Sequence, residues 1–324
     1  MKQYLKRLSE LYYKGTPEVT NEEYDALEQI YGQSINGTGD VQHLFRMYSL
    51  NKHYDVDGPL PIIKTPTTKT PKLDGAAIDL TYIEGKLFHA LTRGNGIVGR
   101  DVTEKVKTLP GVVLEIPSTK PTQITGEVVA AKTVENSRNY ASGALNQKEI
   151  ESWEQRKTDG NMCFVSYNVQ QVQNRWGITE DYSTDMLELF NWGFNTITVP
   201  LVNSTGEDIV WEDVYPTDGI VYRISNNQSF NAMGFTDKFP KGAIAWKEKQ
   251  ESVFTTLIDV EWGTGKSGKV TPVAILEPVM IGEANVSRAT LNNMAYIDAL
   301  GLEIGCTVEL IRAGEIIPKI IGRV

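Results

Sequence analysis

Lys72, Leu73, Asp74 and Gly75 form a K-x-D-G sequence, a pattern in which lysine can act as a nucleophile. In covalent nucleotidyl transfer, the lysine amine attacks the α-phosphorus of a nucleotide and displaces the rest of that molecule. A free lysine is protonated and cannot attack, so the amine needs burial or neighbouring cations that favour its neutral form. Charge that builds on the phosphate must also be neutralised. We therefore expect other basic side chains to converge on Lys72; the alternative is a lysine in a solvent-exposed turn.

The sequence on either side of this motif predicts a mixed α+β domain. From about residue 72 to 250, short alternating or β-branched runs are separated by Gly, Pro and Asn, and they include AIDLTYI, KLFHALT, GVVLEI, ITGEVVA, CFVSYNV and GIVYRI. Two helices are predicted among these strands. One is NQKEIESWEQ, and the other is a segment capped by Asp185 that stops at Gly193.

Different patterns precede and follow this domain. Apolar residues at helical spacing predict two helices before residue 32, the second of which begins with a capping box of Thr20 and Glu23. The polar, Gly-rich residues 33–42 predict a flexible joint. After residue 255, Ile258, Val260 and Trp262 alternate with polar residues, and a helix is predicted at 287–300, which together indicate a small β-barrel with an inserted helix. We predict an α+β multidomain protein with domains at 1–35, 36–252 and 253–324.

Composition limits the partners and the location. The net charge of −9 argues mildly against nucleic-acid binding, but Lys and Arg gather in residues 64–72, 93–107, 238–249 and 312–323, which folding could bring to one face. No apolar run reaches the length of about 18 residues that crosses a membrane, and the N-terminus lacks the apolar core of a secretory signal. Cys163 and Cys306 have no second Cys or His at metal-ligand spacing, so neither a zinc site nor a disulfide framework is predicted. We expect a cytoplasmic protein.

Two glycine-containing motifs suggest other functions but lack the required surroundings. Gly94, Gly96 and Gly99 spell G-x-G-x-x-G, yet the chain around them lacks the repeating strand and helix alternation of a dinucleotide-binding fold, and a turn between antiparallel strands uses the same glycines. The GTGKSGK sequence at 263–269 imitates a P-loop, but Val260 stands where that motif requires glycine. We interpret this basic segment, with Lys266, as a contact to a phosphate backbone.

Several further segments, in order and spacing, resemble the NAD⁺-dependent DNA ligases of bacteria. Thr92–Gly96 with Gly99 and Asp101–Thr103 resembles TRGDG-x-x-G-x-DVT, Gly126–Val128 resembles a strand with a glutamate near the ribose, and Asn136–Asn139 resembles NPRN. Asp218–Val221 resembles DGVV, and Ala243–Lys247 resembles AIA-x-K. Long runs after residue 271, including Arg312 to Lys319, resemble the oligonucleotide-binding (OB) fold of that family.

The resemblance implies roles for individual residues. Lys72, Asp74 and Lys247 would be catalytic, with Lys247 on the phosphate beside Lys72. The nucleotide would contact Thr70, Leu73, Gly75, Arg93, Glu127, Arg138, Asp218, Arg223 and Lys247. Arg223 stands where the family typically has lysine, which keeps the charge but changes its geometry. Mg²⁺ would use Glu127 and Asp218, directly or through water. DNA would contact Arg138, Lys266, Arg312 and Lys319.

The first 30 residues carry the preference for NAD⁺ over ATP, because ATP-dependent relatives share the lysine motif but lack this helical segment. Tyr12, Tyr13, Tyr24 and Asp25 resemble residues that bind the nicotinamide mononucleotide (NMN) half of NAD⁺, where an aromatic ring can stack on the cationic nicotinamide. The alternative for Tyr12 and Tyr13 is that they fill the core of the helical hairpin.

The resemblance thus implies an enzyme that uses NAD⁺ and Mg²⁺ to seal nicks in duplex DNA, and we expect it to be a monomer. The chain departs from the family at Thr70, Asn21 and Asn146, where the family has glutamate, aspartate and arginine. It also ends after the OB fold, without the zinc, helix-hairpin-helix and BRCT modules, a layout that resembles virus-encoded ligases and would place the protein in the host cytoplasm. Two other functions stay open: a nick-binding protein without catalysis, and an ATP-using nucleotidyltransferase that acts on RNA.

Overall fold

The computed structural model describes the chain except at residues 15, 37–39, 55–59, 61–64, 174–176, 203–206, 248–251, 265–269, 282–283, 292 and 314–316. The chain divides into two compact units, residues 1–247 and 248–324. Helices and mostly antiparallel sheets make up the first unit, and a closed barrel makes up the second, which confirms the α+β class. Within the described ranges, no helix is both long and apolar enough to span a membrane.

Two helices begin the first unit, α1 (Lys2–Tyr13) and α2 (Asn21–Asn36). Their apolar faces meet through Leu8, Leu27 and Ile30, which are almost fully buried, and the same cluster includes residues of the sheet domain such as Phe45. Thr20 and Glu23 form the predicted capping box: the backbone N–H of each donates to the side chain of the other, at 2.9 and 3.2 Å. The predicted joint at 33–42 is wrong at both ends, because α2 continues to Asn36 and a strand begins at Asp40; residues 37–39 lie outside the described part.

In the described part of the first unit, the strands form two four-stranded sheets and two small ones. The strands are β1 (Asp40–Gln42), β2 (Asn51–Tyr54), β3 (Thr67–Leu73), β4 (Ala76–Ile83), β5 (Lys86–Thr92), β6 (Val98–Arg100), β7 (Thr122–Val129), β8 (Cys163–Gln171), β9 (Leu201–Val202), β10 (Asp208–Ile209), β11 (Thr217–Ile224) and β12 (Ala243–Lys247). The orders are β2-β12-β11-β3, β5-β4-β7-β8, β1-β6 and β10-β9. Of these pairs only β12 with β2 is parallel, which excludes the dinucleotide-binding fold for this unit.

Among the residues that the structure describes, six more helices cover the sheets: α3 (Thr103–Val106), α4 (Ser137–Leu145), α5 (Ile150–Asp159), α6 (Tyr182–Asn191), α7 (Trp211–Val214) and α8 (Asn227–Met233). The predicted cap of α6 is wrong. Asp181 is the N-cap and accepts from the backbone N–H of Ser183, whereas Asp185 lies inside the helix, buried, and accepts from the backbone N–H groups of Ile178 and Thr179. Both aspartates satisfy backbone donors, and spacing alone does not distinguish them.

One predicted strand of the first unit, GVVLEI at 111–116, is also wrong. Gly111 lies in a turn with φ +85°, and the only pairing described for the run is an isolated bridge between Glu115 and Lys86. A Cβ at residue 111 would lie 2.2 Å from the carbonyl oxygen of Phe164, so the turn requires glycine at this position.

The second unit is a closed barrel in the order β13-β14-β15-β17-β16. Its elements are β13 (Val253–Thr264), β14 (Val270–Ile281), β15 (Ala284–Thr290), α9 (Met294–Leu300), β16 (Thr307–Ala313) and β17 (Ile317–Arg323). The barrel with an inserted helix is confirmed, but the helix begins later than predicted: residues 287–290 belong to β15, and Asn293 caps α9 by accepting from the backbone N–H of Tyr296. Gly301 ends α9 in the left-handed conformation.

Candidate active site

The K-x-D-G motif occupies the point where the chain leaves one large sheet and enters the other. Lys72 is next to last in β3, and Asp74 and Gly75 alone separate β3 from β4. The backbone N–H of Asp74 donates to the carbonyl of Pro216 at 2.8 Å, which ties the crossover to the segment before β11. Lys72 is therefore fixed beside two sheets rather than in a free turn.

Gly75 is required at this crossover by the close approach of β7. A Cβ at residue 75 would lie 2.2 Å from the carbonyl oxygen of Val128 and 3.0 Å from Cγ of Glu127. Real Cβ atoms do not approach backbone atoms so closely, so only glycine allows Glu127 to stand directly beside the motif. The glycine of K-x-D-G thus brings a carboxyl group to the lysine's neighbourhood.

Gly75→Ala is expected to lower the free energy of unfolding by about 1–3 kcal/mol, because backbone must shift to admit the methyl group. Gly32→Ala is the matched control. A Cβ at residue 32 meets nothing within 4 Å and lies inside α2, so this change should stabilise the protein by roughly 0.5–1 kcal/mol. Denaturant unfolding of both variants measures the difference, and equal midpoints would contradict the close approach.

Asp218 joins Lys72 to a second lysine. Its Oδ1 lies 2.7 Å from Nζ of Lys72, and its Oδ2 lies 2.5 Å from Nζ of Lys247. Gly219 permits this arrangement, since its φ is +142° and a Cβ there would lie 2.2 Å from the carbonyl oxygen of Trp246. β11 and β12 therefore approach closely where Asp218 and Lys247 project toward Lys72.

The carboxyl group of Asp218 is ionised by this contact. Burial alone would raise its pKa, but the charge of Lys72, the hydrogen bonds from both ammonium groups and the charge of Lys247 together hold the pKa below its ordinary value. An acceptor between two cations keeps both Nζ atoms in place without a further anion. The expectation that basic side chains converge on Lys72 is met by Lys247.

The pKa of a second carboxyl group, that of Glu127, is shifted in the opposite direction. Burial raises its pKa to about 7, and the negative charge of Asp74 raises it as well. The positive charges of Lys72, Arg93 and Arg138 lower it, but not enough to offset burial. A cation beside Glu127 would lower this pKa and favour the ionised carboxylate.

Arginines complete the group of charges. Arg138, in the first turn of α4, pairs with Asp74 at 3.2 Å and is half exposed. Arg93 lies in the turn between β5 and β6; its backbone N–H donates to the carbonyl of Ala77 at 3.0 Å, and Ala77 pairs in register with Glu127. Its side chain is exposed. Across the described residues, its guanidinium has no ion-pair partner within 4 Å.

The comparison with known families agrees with this geometry. Residues 36–251 match the model of the NAD-dependent DNA ligase adenylation domain, and residues 254–324 match that of the NAD-dependent DNA ligase OB-fold domain. The chain belongs to the NAD-dependent DNA ligase family. The adenylation domain contains the motif lysine and every residue of the charged group described above, so this group is the candidate active site of a family member.

Individual relatives are DNA ligases of bacteria. The chain is 30% identical to a DNA ligase of Corynebacterium aurimucosum, over 99% of this chain and 55% of the relative, and 30% identical to one of Alkaliphilus metalliredigens, over 100% and 57%. A DNA ligase of Alkaliphilus oremlandii is 36% identical over 78% of this chain and 41% of the relative. The chain spans about half the length of the curated relatives it matches.

Arg223 corrects one expectation drawn from the family resemblance. We expected Arg223 to contact the nucleotide, but its guanidinium is buried between the rings of Tyr182 and Phe230, 4.3 and 4.1 Å from their centroids, and donates to Oδ1 of Asn227 at 2.7 Å. Only 7% of the residue is exposed. Arg223 therefore holds α6 and α8 against β11 and does not face Lys72.

Two further residues of β3 expected at the nucleotide have buried side chains. Leu73 is buried in the main hydrophobic core, and its contact with the nucleotide stays a prediction. Thr70 is buried on β3 opposite Val221 of β11, at the position where the family has glutamate. Any contact of Thr70 with the nucleotide stays a prediction.

The helical residues expected to bind NMN differ in exposure. Tyr12 is exposed, which removes the alternative that it fills the hairpin core, and Asp25 is exposed on α2. Tyr24 is half-buried against the cluster shared by the helices and the sheet domain. Tyr13 ends α1, and its side chain lies outside the described part. The NMN roles of these four residues stay predictions.

The residues expected to contact DNA in the second unit are only partly described. Lys266 lies outside the described residues. Arg312, on β16, is half-buried and donates to the carbonyl of Ile281 at 3.5 Å, and Lys319, on β17, has its ammonium 5.4 Å from the centroid of the Tyr296 ring. Both are on barrel strands and neither forms an ion pair among the described residues, so their DNA contacts stay predictions.

Both carboxyl groups expected to bind Mg²⁺ lie in the charged group. Each oxygen of Asp218 accepts from an ammonium group, and the role of Asp218 at the metal, directly or through water, stays a prediction. Glu127 fits, because its carboxyl group is held near neutrality by burial and a cation beside it would restore the charge. The described residues contain no cluster of three or more Asp, Glu, His or Cys that would hold a metal by protein ligands alone. Mg²⁺ usually binds to one or two carboxylates together with substrate phosphates, so such a cluster is not required.

Glu127→Gln is expected to change how stability depends on pH. The pKa of Glu127 rises from 4.5 to about 7 on folding, so the folded chain binds the extra proton in that interval, and ionisation costs stability as the pH rises through it. Relative to wild type, the Gln variant should gain stability between pH 4.5 and 7, by on the order of 1 kcal/mol after solvent screening, and the gain should persist above pH 7. Denaturant unfolding at pH 4 to 8 without nucleotide or metal tests this; a difference that is independent of pH would contradict the raised pKa.

Sequence reasoning missed a buried pair beneath the site, His43 and Asp79. Both side chains are inaccessible to solvent, and Nδ1 of His43 bonds to Oδ2 of Asp79. The signal was present in the sequence, because Asp79 interrupts the apolar run AIDLTYI of a strand that is buried along its whole length after Ala77. A carboxylate in such a strand requires a partner.

Proposed function

We propose that this chain is an NAD⁺-dependent DNA ligase in which Lys72 becomes covalently linked to AMP and the AMP then activates the 5′-phosphate of a nick. The observation that carries the proposal is the Asp218 carboxylate held between Lys72 and Lys247 inside a domain of the ligase adenylation family. An exposed lysine in an accidental K-x-D-G sequence would have neither the anion nor the second cation.

The geometry supports a role for each charged residue in the first step. Nζ of Lys72 must lose a proton before it can attack the α-phosphorus, and Oδ1 of Asp218, in contact with Nζ, is the nearest acceptor. The new N–P bond forms as the bond to the NMN phosphate oxygen breaks. Lys247 and Arg138 would neutralise the charge that develops on the phosphate oxygens. Asp74 would hold Arg138 in position through their ion pair.

In the two later steps, AMP passes from Nζ of Lys72 to the 5′-phosphate, and the 3′-hydroxyl then attacks that phosphate and releases AMP. Mg²⁺ bound at Glu127 would supply charge neutralisation to the phosphates. We further propose domains at 1–35, 36–252 and 253–324, with NMN bound by Tyr12, Tyr13, Tyr24 and Asp25 and DNA bound by Arg138, Lys266, Arg312 and Lys319. We propose a monomer that acts in the cytoplasm, or in the host cytoplasm if the chain is virus-encoded.

A nick-binding protein without catalysis is the second candidate, and the departures at Thr70, Asn21 and Asn146 favour it. The contact at Asn146 weakens this candidate, because Arg100 donates to its Oδ1 and thereby brings a guanidinium to the position where the family has arginine. The retained Lys72, Asp218 and Lys247 argue in the same direction, since a protein that only binds nicks needs no nucleophile.

The intact mass of the protein before and after incubation with NAD⁺ and Mg²⁺ tests the proposal, with ATP as the control donor. We expect the mass of one AMP to be added with NAD⁺ alone. Addition with ATP instead would indicate an ATP-using nucleotidyltransferase. If neither nucleotide adds mass, and the purified protein does not already contain AMP, the nick-binding function would replace this one and DNA affinity should be measured against salt concentration.

A further inference from the structure

Arg93 is held to the central strand of its sheet by both of its backbone polar groups. Its N–H donates directly to the carbonyl of Ala77 in β4 at 3.0 Å. Its carbonyl oxygen accepts from Nε2 of His43 at 3.0 Å, and the other ring nitrogen of His43 bonds to Asp79, which is also in β4. The second link therefore runs from β4 through the buried side chains of Asp79 and His43 to Arg93.

The His43 and Asp79 pair leaves none of its polar atoms without a partner. Asp79 also accepts from Oγ1 of Thr81 through its second oxygen, at 3.1 Å. Because the Arg93 carbonyl can only accept, Nε2 of His43 must carry a proton, and a further proton is shared between Nδ1 and Asp79. Burial lowers the pKa of His43, but the bonds to Asp79 and to the Arg93 carbonyl outweigh burial and raise it.

The turn that contains Arg93 is rich in glycine, and the hydrogen bond from His43 restrains its backbone. Gly94 and Gly96 have φ values of +53° and +87°, and Gly96 donates to the Arg93 carbonyl at 2.8 Å. Glycine admits several backbone conformations at similar free energy, so the peptide between Arg93 and Gly94 could rotate if its carbonyl had no second donor. His43 supplies that donor, and its Cε1 would lie 3.0 Å from a Cβ placed at Gly99, so the ring is packed directly beneath the turn.

Two other titratable groups near His43 and Asp79, those of His89 and Asp101, do not bond to the Arg93 carbonyl in place of His43. His89, on β5, is buried with both ring nitrogens lacking a hydrogen-bond partner among the described residues, and burial lowers its pKa. Asp101 accepts from the backbone N–H and the hydroxyl of Thr103. Neither of them is hydrogen-bonded to the Arg93 carbonyl.

We propose that His43, held by Asp79, is a positioning residue that fixes the Arg93 carbonyl and so aims the Arg93 guanidinium at the nucleotide beside Glu127. This inference rests on the proposed function, because it gives Arg93 a nucleotide to contact. His43 touches no reacting atom and acts through Arg93. Its loss would leave Lys72, Asp218 and Lys247 in place but let the Arg93 side chain move, and a displacement of about 1 Å can lower a rate by about 10²-fold.

The test compares two substitutions of similar size in the full chain. His43→Leu fills the space without a donor, whereas His43→Gln keeps an amide N–H that can reach the Arg93 carbonyl. We expect His43→Leu to lower the rate constant of AMP transfer from NAD⁺ to Lys72 by about 10- to 100-fold in single-turnover mass measurements, and His43→Gln to restore most of it. His89→Leu is the matched control: it removes a buried histidine without a bond and should leave the rate unchanged.

A double-mutant cycle with Arg93→Ala separates positioning from folding. If His43 acts through Arg93, the effect of His43→Leu should vanish in the Arg93→Ala background. Equal losses in both backgrounds, or equal rates for the Leu and Gln variants, would overturn the inference. The wild type distinguishes the two proposals. If the wild type takes no AMP from NAD⁺, the proposed function is refuted, and this inference with it. If the wild type is labelled but the rate losses of His43→Leu and Arg93→Ala are additive, only the inference is refuted.

If His43→Leu fails to fold, Asp79→Asn, which keeps the volume and removes the charge, replaces it in the same cycle.

Discussion

Lys72→Ala should abolish the addition of AMP from NAD⁺, because it removes the atom that forms the covalent bond to the AMP phosphorus in the first step of the proposed mechanism. Lys72→Arg should be equally inactive, since a guanidinium keeps the charge next to Asp218 but is not a nucleophile. The intact mass after incubation with NAD⁺ and Mg²⁺ measures the result directly. Loss of activity below detection is expected in both variants.

Lys69→Ala is the matched control for this experiment. Lys69 lies three residues earlier on the same strand, and its ammonium faces the Tyr222 ring at 5.3 Å rather than Asp218. It should take up AMP at nearly the wild-type rate. The third step forms no bond to Lys72, so Lys72→Ala should still seal a nick that already has AMP on its 5′-phosphate. Normal labelling of Lys72→Ala would refute the assignment of the nucleophile.

Asp218→Asn has the second largest expected effect, a fall of about 10²–10³-fold in the rate of AMP transfer. The amide keeps the size of the side chain but removes the charge between two ammonium groups, so Lys72 and Lys247 would repel each other and lose their fixed positions. The loss should appear mainly in the single-turnover rate at saturating NAD⁺, because Nζ of Lys72 would also lose its nearest proton acceptor.

Asp213→Asn provides the comparison for that variant. Asp213 is exposed on α7, a few residues before Asp218, and the same chemical change there should leave the rate within about twofold of wild type, as for most surface substitutions. If Asp218→Asn retained the wild-type rate, the carboxylate would be a structural partner of the two lysines, and the proton acceptor would have to be sought elsewhere.

The sequence predicted those parts of the site that depend on local pattern. Lys72, Asp218 and Lys247 were expected together from short motifs, and the structure brings their charged atoms into contact. The capping box of α2 and five strands of the first unit, β4, β5, β7, β8 and β11, were also predicted, because capping and alternation depend on neighbouring residues. These features recur wherever the same residues stand at the same spacing.

Predictions failed where the partner is distant in sequence. Arg223 follows the pattern of a phosphate-binding strand residue, but Tyr182 and Phe230 enclose it. Ile258 and Trp262 alternate with polar residues as core positions would, yet both are about half exposed, and the register of β13 shifts between Leu257 and Asp259. A single-residue shift turns every following side chain to the other face of a strand, and alternation alone does not reveal which face is inside.

The sequence by itself determined the chemistry that we propose for this protein, a lysine nucleophile with acids and cations around it, and the order of a helical segment, an adenylation domain and an OB fold. The tertiary structure alone decided that the two oxygens of Asp218 contact the ammonium groups of Lys72 and Lys247, and that burial raises the pKa of Glu127. It also decided that His43, bonded to Asp79, contacts the carbonyl of Arg93. The physical reason is that side-chain identity sets what a group can do, whereas burial and the positions of distant charges set its protonation and its partners.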